Sequence, residues 1–277
     1  MHKNYQGSIA LLMRDFKKFP VLVISQKTPK LLLKPKKIIV LLLPLHKTLL
    51  TMERLLSNFK IDIPDCIYLK DPESSTLGKK IVQHSIILIE NIGFESFNFK
   101  KLGALIDSNE SSVYRYFESK HKLLVYLTSW YWSWVEYQLV VATYSIKNTD
   151  EKLKKSIEII TRTIKNDSNY SHINEVLLNQ IIINENSKSY LTKNVDSENA
   201  DGYFMSYKRV VQRFSEIIIA YNPSYMHSLS LASTIIEGGL HQNFLKHHFT
   251  SITNCDKNNS PTDFFTDLVF KSLAHEQ

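Results

Sequence analysis

The run "DSNESSVYRYFESK", Asp107 to Lys120, sets Asn109, Ser111, Ser112 and Arg115 within one seven-residue span. These groups do not form a bond-breaking set. They offer short hydrogen-bond donors and acceptors and one planar cation. On the first turns of a short helix, such side chains reach base edges in the major groove of a duplex. Tyr114 and Tyr116 add hydroxyls for phosphate. Lys120 adds an ammonium beside the free N–H groups of a following helix, where the two grip one phosphate together. Asn98, eleven residues before Asn109, joins this group as the cap of the preceding helix. The rest of the chain offers no competing chemistry. It lacks a phosphate-binding glycine loop, a GxSxG nucleophile turn and an HExxH pair. His241, His247 and His248 match no metal-ligand spacing, and the adjacent pair faces apart on a helix. No catalysis, metal or cofactor is expected.

The elements that must position these residues follow from periodicity. From about Leu77, Ile81, Ser85, Leu88, Ile89 and Ile92 fall at helical spacing, and Gly93 supplies a stop with positive φ. Asn98 then caps a helix running to about Ile106, with Phe97 and Leu102 at the spacing of a hydrophobic staple. Asp107-Ser108-Asn109 makes a turn and a second cap. The next helix, about Glu110 to Phe117, is two turns long, with Val113 and Phe117 on one face. A helix that short has no independent stability, so its neighbours must hold it and leave its other face free. Glu110 at its start suits the helix dipole and repels phosphate. Ser119 caps a long helix to about Ile146.

Here the sequence resembles a known family. "IGFESFNFKKLGALIDSNESSVYRYFESKHKLL" is similar to the DNA-binding domain of TetR-family transcriptional regulators. The likeness spans Leu77 to Leu124, and "VYRYFESKHKLL" is its most specific part. The chain departs from the family pattern in two places. Asp107-Ser108-Asn109 replaces a Gly-Val-Ser turn, and Gly103 stands where alanine is usual. The resemblance implies an all-α protein: a three-helix helix-turn-helix head, then a larger helical body that binds an effector and dimerises. It further implies a repressor that binds double-stranded DNA and is released when a small molecule shifts the population toward splayed recognition helices.

Composition fits an all-helical chain: 277 residues, 43% hydrophobic, with 7 glycines and 8 prolines. The net charge of +7 is confined to one end. Residues 1–51 carry ten bases and one acid, whereas residues 52–277 carry 24 bases and 26 acids, so global charge says little about nucleic acid. The first segment also holds four prolines, and its longest apolar run, "IIVLLLPL", is too short to span a membrane. It reads either as sequence upstream of a start at Met52 or Met13, or as a basic arm adding phosphate contacts. Residues 52–76 form an entry segment, 77–124 the head and 125–277 the body. Two distant cysteines, Cys66 and Cys255, point to a reducing, cytoplasmic setting.

In the body, helices are expected near 149–166, 171–186, 197–221, 224–249 and 262–274, about nine in all. "DEKLKKS" reads as a solvated face. The last two helices are the expected homodimer surface, with Leu231, Ile235 and Leu245 as contacts and Gly238 and Gly239 allowing close approach. "TSWYWSWVEYQ" concentrates Trp130, Trp134 and Tyr137. These are either core packing or one wall of a pocket for an apolar or aromatic effector, with Phe204 and Tyr207 opposite. The alternative function is a helical protein-interaction module whose head no longer reads DNA.

Overall fold

The computed structural model describes residues 61, 63–164, 172–256 and 258–274. The 1–51 segment lies outside them, as do the expectations attached to it. The described residues contain ten α-helices and no strand. The head is built from α1 (Thr76–Ser96), α2 (Phe99–Leu105), α3 (Glu110–Tyr114) and the start of α4 (Lys120–Thr143). The body adds α5 (Thr149–Thr161), α6 (Glu175–Glu185), α7 (Val195–Ala200), α8 (Met205–Tyr221), α9 (Ser228–His248) and α10 (Pro261–Leu273).

Polar caps set most helix starts. Ser75, Asn98, Asn109, Ser119, Asn148 and Asn174 each accept a bond from a first-turn N–H, and Ser260 and Asp263 form a reciprocal capping box. Gly93 carries φ 75° and ψ 156°, so α1 kinks there, and the chain becomes extended at Phe97. Phe97 and Leu102 are both buried, as a staple requires, whereas Ile92 sits at the surface. The expected 197–221 helix is two helices, because Gly202 at φ 89° ends α7 before α8 begins. The count is therefore ten rather than nine. The helices expected at 149–166 and 171–186 are shorter, ending at Thr161 and starting at Glu175.

α4 is the spine. Every residue from Leu123 to Glu136 is buried, so it has no solvent stripe. It packs on α5, α6 and α8, while α9 packs on α5, α6, α8 and α10. α1 lies on α6, which ties head to body. The tie is also polar. Lys188, just after α6, bonds Glu95 at 2.7 Å and Glu185 at 2.9 Å, and Glu185 accepts from the Phe94 N–H at 3.3 Å. The Lys188 bond to Glu95 holds that carboxyl below its ordinary range.

The glycines expected at a dimer surface serve the chain's own packing instead. A Cβ on Gly238 would stand 2.8 Å from the Phe265 ring, and one on Gly239 would stand 3.3 Å from Thr161. Ile235 and Leu245 are likewise buried within the chain, and Leu231 is half-buried. The large apolar side chains exposed on these two helices are Leu229 on α9 and Phe264 and Leu268 on α10.

Candidate nucleic-acid interface

The α2–α3 turn depends on two residues. Asp107 adopts φ 55°, the left-handed conformation that aspartate accepts at modest cost in place of glycine. Gly103 lets the turn close onto α2: a Cβ there would lie 2.9 Å from the Ser108 carbonyl oxygen and 3.2 Å from the backbone of Asn109 and Glu110. The departure at position 103 is thus matched to the altered turn.

α3 spans five residues, fewer than the two turns expected, because the chain leaves the helix after Tyr114 to carry Phe117 into the core. Val113 and Phe117 are fully buried and hold it down. Asn109, Ser111, Tyr114 and Arg115 are exposed, and Ser112 is half-buried. Asn109 Oδ1 accepts from the Ser112 N–H at 2.8 Å and from the Ser111 and Ser112 hydroxyls at 2.7 Å each. The exposed Asn109 and Ser111 carry an amide and a hydroxyl, a mixed donor–acceptor set. The Tyr114 ring packs edge-on against Phe99 at 4.9 Å while 46% of the residue stays exposed, which fixes its hydroxyl at the surface. Asn98 is exposed but engaged as the α2 cap, accepting from Lys101 N–H at 2.9 Å.

Two of the expected phosphate contacts point elsewhere. Tyr116 is 3% exposed; its hydroxyl shares a 2.7 Å bond with Ser75, and its ring lies beneath Lys70. It fastens the start of α1 to the end of α3 and does not face solvent. Lys120 donates to the carbonyls of Phe94 and Glu95 at 3.1 Å and of Phe97 at 3.4 Å. Its ammonium satisfies the open C-terminal end of α1, where a cation is favoured. A phosphate would have to compete for it. Lys100, exposed on the neighbouring α2, is a base the motif reading did not single out.

The aromatic residues of α4 fill the core. Trp130 and Trp134 are each 7% exposed, and Tyr137 is half-buried. The ring contacts run from Tyr131 to Trp132 and Trp134, and from Trp132 to Tyr207 at 5.2 Å. Phe204, half-buried, stands at the start of α8. Tyr207 shares the Glu237 carboxylate with Tyr190, whose hydroxyl lies 3.1 Å away, and Asn186 bridges Glu237 to the Trp132 indole N–H. Burial, followed by the Glu237 charge, raises both tyrosine phenols, which keeps them protonated and donating. Trp132, the Asn186–Tyr190 turn and Glu237 come from three separate stretches, so no spacing announces them. The lone acid within "STIIEGGL" was the available signal, since an acid among apolar residues must find donors. Among the described residues, no group of three or more His, Cys, Asp or Glu side chains is arranged to hold a metal, and no helix is long and apolar enough to cross a membrane.

No family model matches the sequence, and no curated protein matches it. Similar solved structures include the superantigen PfiT, with a TM-score of 0.48 and 13% identity over 73% of this chain and 97% of that one. Another is AibR in complex with isovaleryl coenzyme A and operator DNA, with a TM-score of 0.44 and 16% identity over 70% of this chain and 97% of that one. Apo AibR matches with a TM-score of 0.42 and 14% identity over 69% and 94%. At these values none of the likenesses bears on function.

Proposed function

We propose that this chain is a DNA-binding transcriptional regulator of the TetR type that acts as a homodimer. One observation carries the reading: α3 is held by buried Val113 and Phe117 while Asn109, Ser111, Tyr114 and Arg115 stay exposed. A helix kept short and pinned on one side gains nothing in stability from such an outer face, whereas a groove-reading helix requires it. The segment from Leu77 to Leu124 carries seven bases and five acids, so general attraction to phosphate is modest. Discrimination then falls to base contacts. One five-residue helix reads few of these, which is the physical reason for two half-sites and a dimer. Leu229, Phe264 and Leu268 are the exposed apolar residues suited to that dimer. Repression relieved by a small apolar or aromatic effector bound in the helical body completes the reading.

The test is selection of bound sequences from a random duplex pool by the full chain. The expected result is enrichment of a two-fold-symmetric site, with binding that weakens as salt rises. An unenriched pool, together with salt-insensitive capture of a protein partner, would favour an interaction module instead.

A further inference from the structure

The hydrogen bonds within α3 decide which of its polar groups can read a base. The Ser112 N–H bonds only to the oxygen end of the Asn109 amide, which fixes Oδ1 at 2.8 Å from it. The same Oδ1 takes the hydroxyl hydrogens of Ser111 and Ser112 at 2.7 Å each. Three bonds exceed the two lone pairs of an amide oxygen, so Asn109 has no acceptor left. An asparagine reads adenine by accepting from N6 while donating to N7, and Asn109 can do only the second. Each serine has spent its single hydrogen and can only accept.

Arg115 is the opposite kind of group. It is the only base between Lys101 and Lys120. It is exposed, and its guanidinium has no ion-pair or hydrogen-bond partner among the described residues. Its five N–H groups donate and none accepts. Its backbone, at φ −68° and ψ −20°, continues the helix, so Arg115 stands one turn after Ser111 on the same face. That face presents a two-point donor beside an oxygen that only accepts. The Tyr114 hydroxyl has one hydrogen and makes no two-point contact by itself, and Glu110 supplies acceptors alone.

We infer that Arg115 fixes base identity in each half-site and that the pair it selects is G·C. Guanine shows two acceptors, O6 and N7, which the guanidinium fork meets together. The paired cytosine shows one donor, its N4 amino group, for an acceptor such as Ser111 Oγ. An A·T pair sets its amino donor between its two acceptors, and a fork without acceptors cannot match that order. The inference rests on the DNA-binding reading and narrows it to a base and the residue that reads it.

The experiment is selection from a random duplex pool with the full chain and with Arg115→Gln and Arg115→Ala, each checked for helicity by circular dichroism. The parent site should hold a G·C at one position of each half-site. Changing that pair to A·T should weaken binding about five- to a hundredfold by mobility shift. Arg115→Gln should move the preference at that position from G to A, because glutamine pairs bidentately with adenine. Arg115→Ala should leave that position unspecified while the others keep their preference. If Arg115→Ala binds more weakly yet keeps every base preference, the guanidinium sits on phosphate and the inference is overturned. A parent site with no G·C requirement overturns it too. Either result leaves DNA binding itself standing, whereas an unenriched parent pool removes the DNA-binding reading and the inference with it.

Discussion

At the residue scale, Arg115 and Tyr116 stand side by side and have opposite roles. Arg115 is exposed, whereas Tyr116 is closed against Ser75. Arg115→Ala should lower affinity for the selected site by a factor equivalent to about 1–3 kcal/mol, measured by mobility shift, with the melting temperature unchanged. Tyr116→Phe should do the reverse. Loss of the Ser75 bond should cost about 1 kcal/mol of stability, read by denaturant titration, with DNA affinity preserved. The inward face of Tyr116 was open to inference, because Val113, Tyr116 and Phe117 fall at i, i+3 and i+4, the spacing of a buried helical stripe. The role of Lys120 was not. Its partners are backbone carbonyls 23 to 26 residues away, and no side-chain pattern records where a helix end arrives in space.

At the element scale, the α2–α3 unit shows a local propensity argument reversed by packing. On propensity alone, Gly103→Ala should stabilise α2 by about 1 kcal/mol. The turn backbone lies too close for that: the new Cβ would meet the Ser108 carbonyl and force the turn away from α2. The expected outcome is a net loss of about 1–3 kcal/mol and a lowered melting temperature, with DNA binding reduced further as α3 shifts. A raised melting temperature would show that the turn yields freely. The caps of α2, α3 and α4 were legible because capping is settled within four residues. The break at Gly202 lies in the polar run "VDSENADG", most of which the expected 197–221 helix took in, and φ 89° fixes where the stop falls.

At the scale of the whole molecule, a polar seam joins α4 to α8. Glu136 accepts from Arg209 at 2.7 Å and from Arg213 at 2.5 Å. Burial pushes the Glu136 carboxyl up, but the two guanidiniums outweigh it and leave the carboxyl below its ordinary value. A carboxyl lowered in the folded state stabilises above its unfolded pKa, about 4.3, and loses that contribution as pH falls through the folded value. Glu136→Gln should therefore cost about 1–3 kcal/mol near neutral pH, with the difference from the parent shrinking under acid, as paired denaturant titrations would show. Assembly is tested at the other end of the body. Phe264→Glu or Leu268→Glu should shift the chain toward monomer by light scattering while helicity stays constant, because both residues point away from the core. By itself the sequence determined the helical class, the capped starts and the short α3, since these arise from contacts between residues a few positions apart. Only the tertiary structure decided that Gly238 and Gly239 serve the chain's own packing, that Lys120 turns inward to the end of α1, and that Tyr190 and Asn186 gather on Glu237. Each depends on which distant segment arrives opposite, and close packing of the folded chain, not local pattern, selects that neighbour.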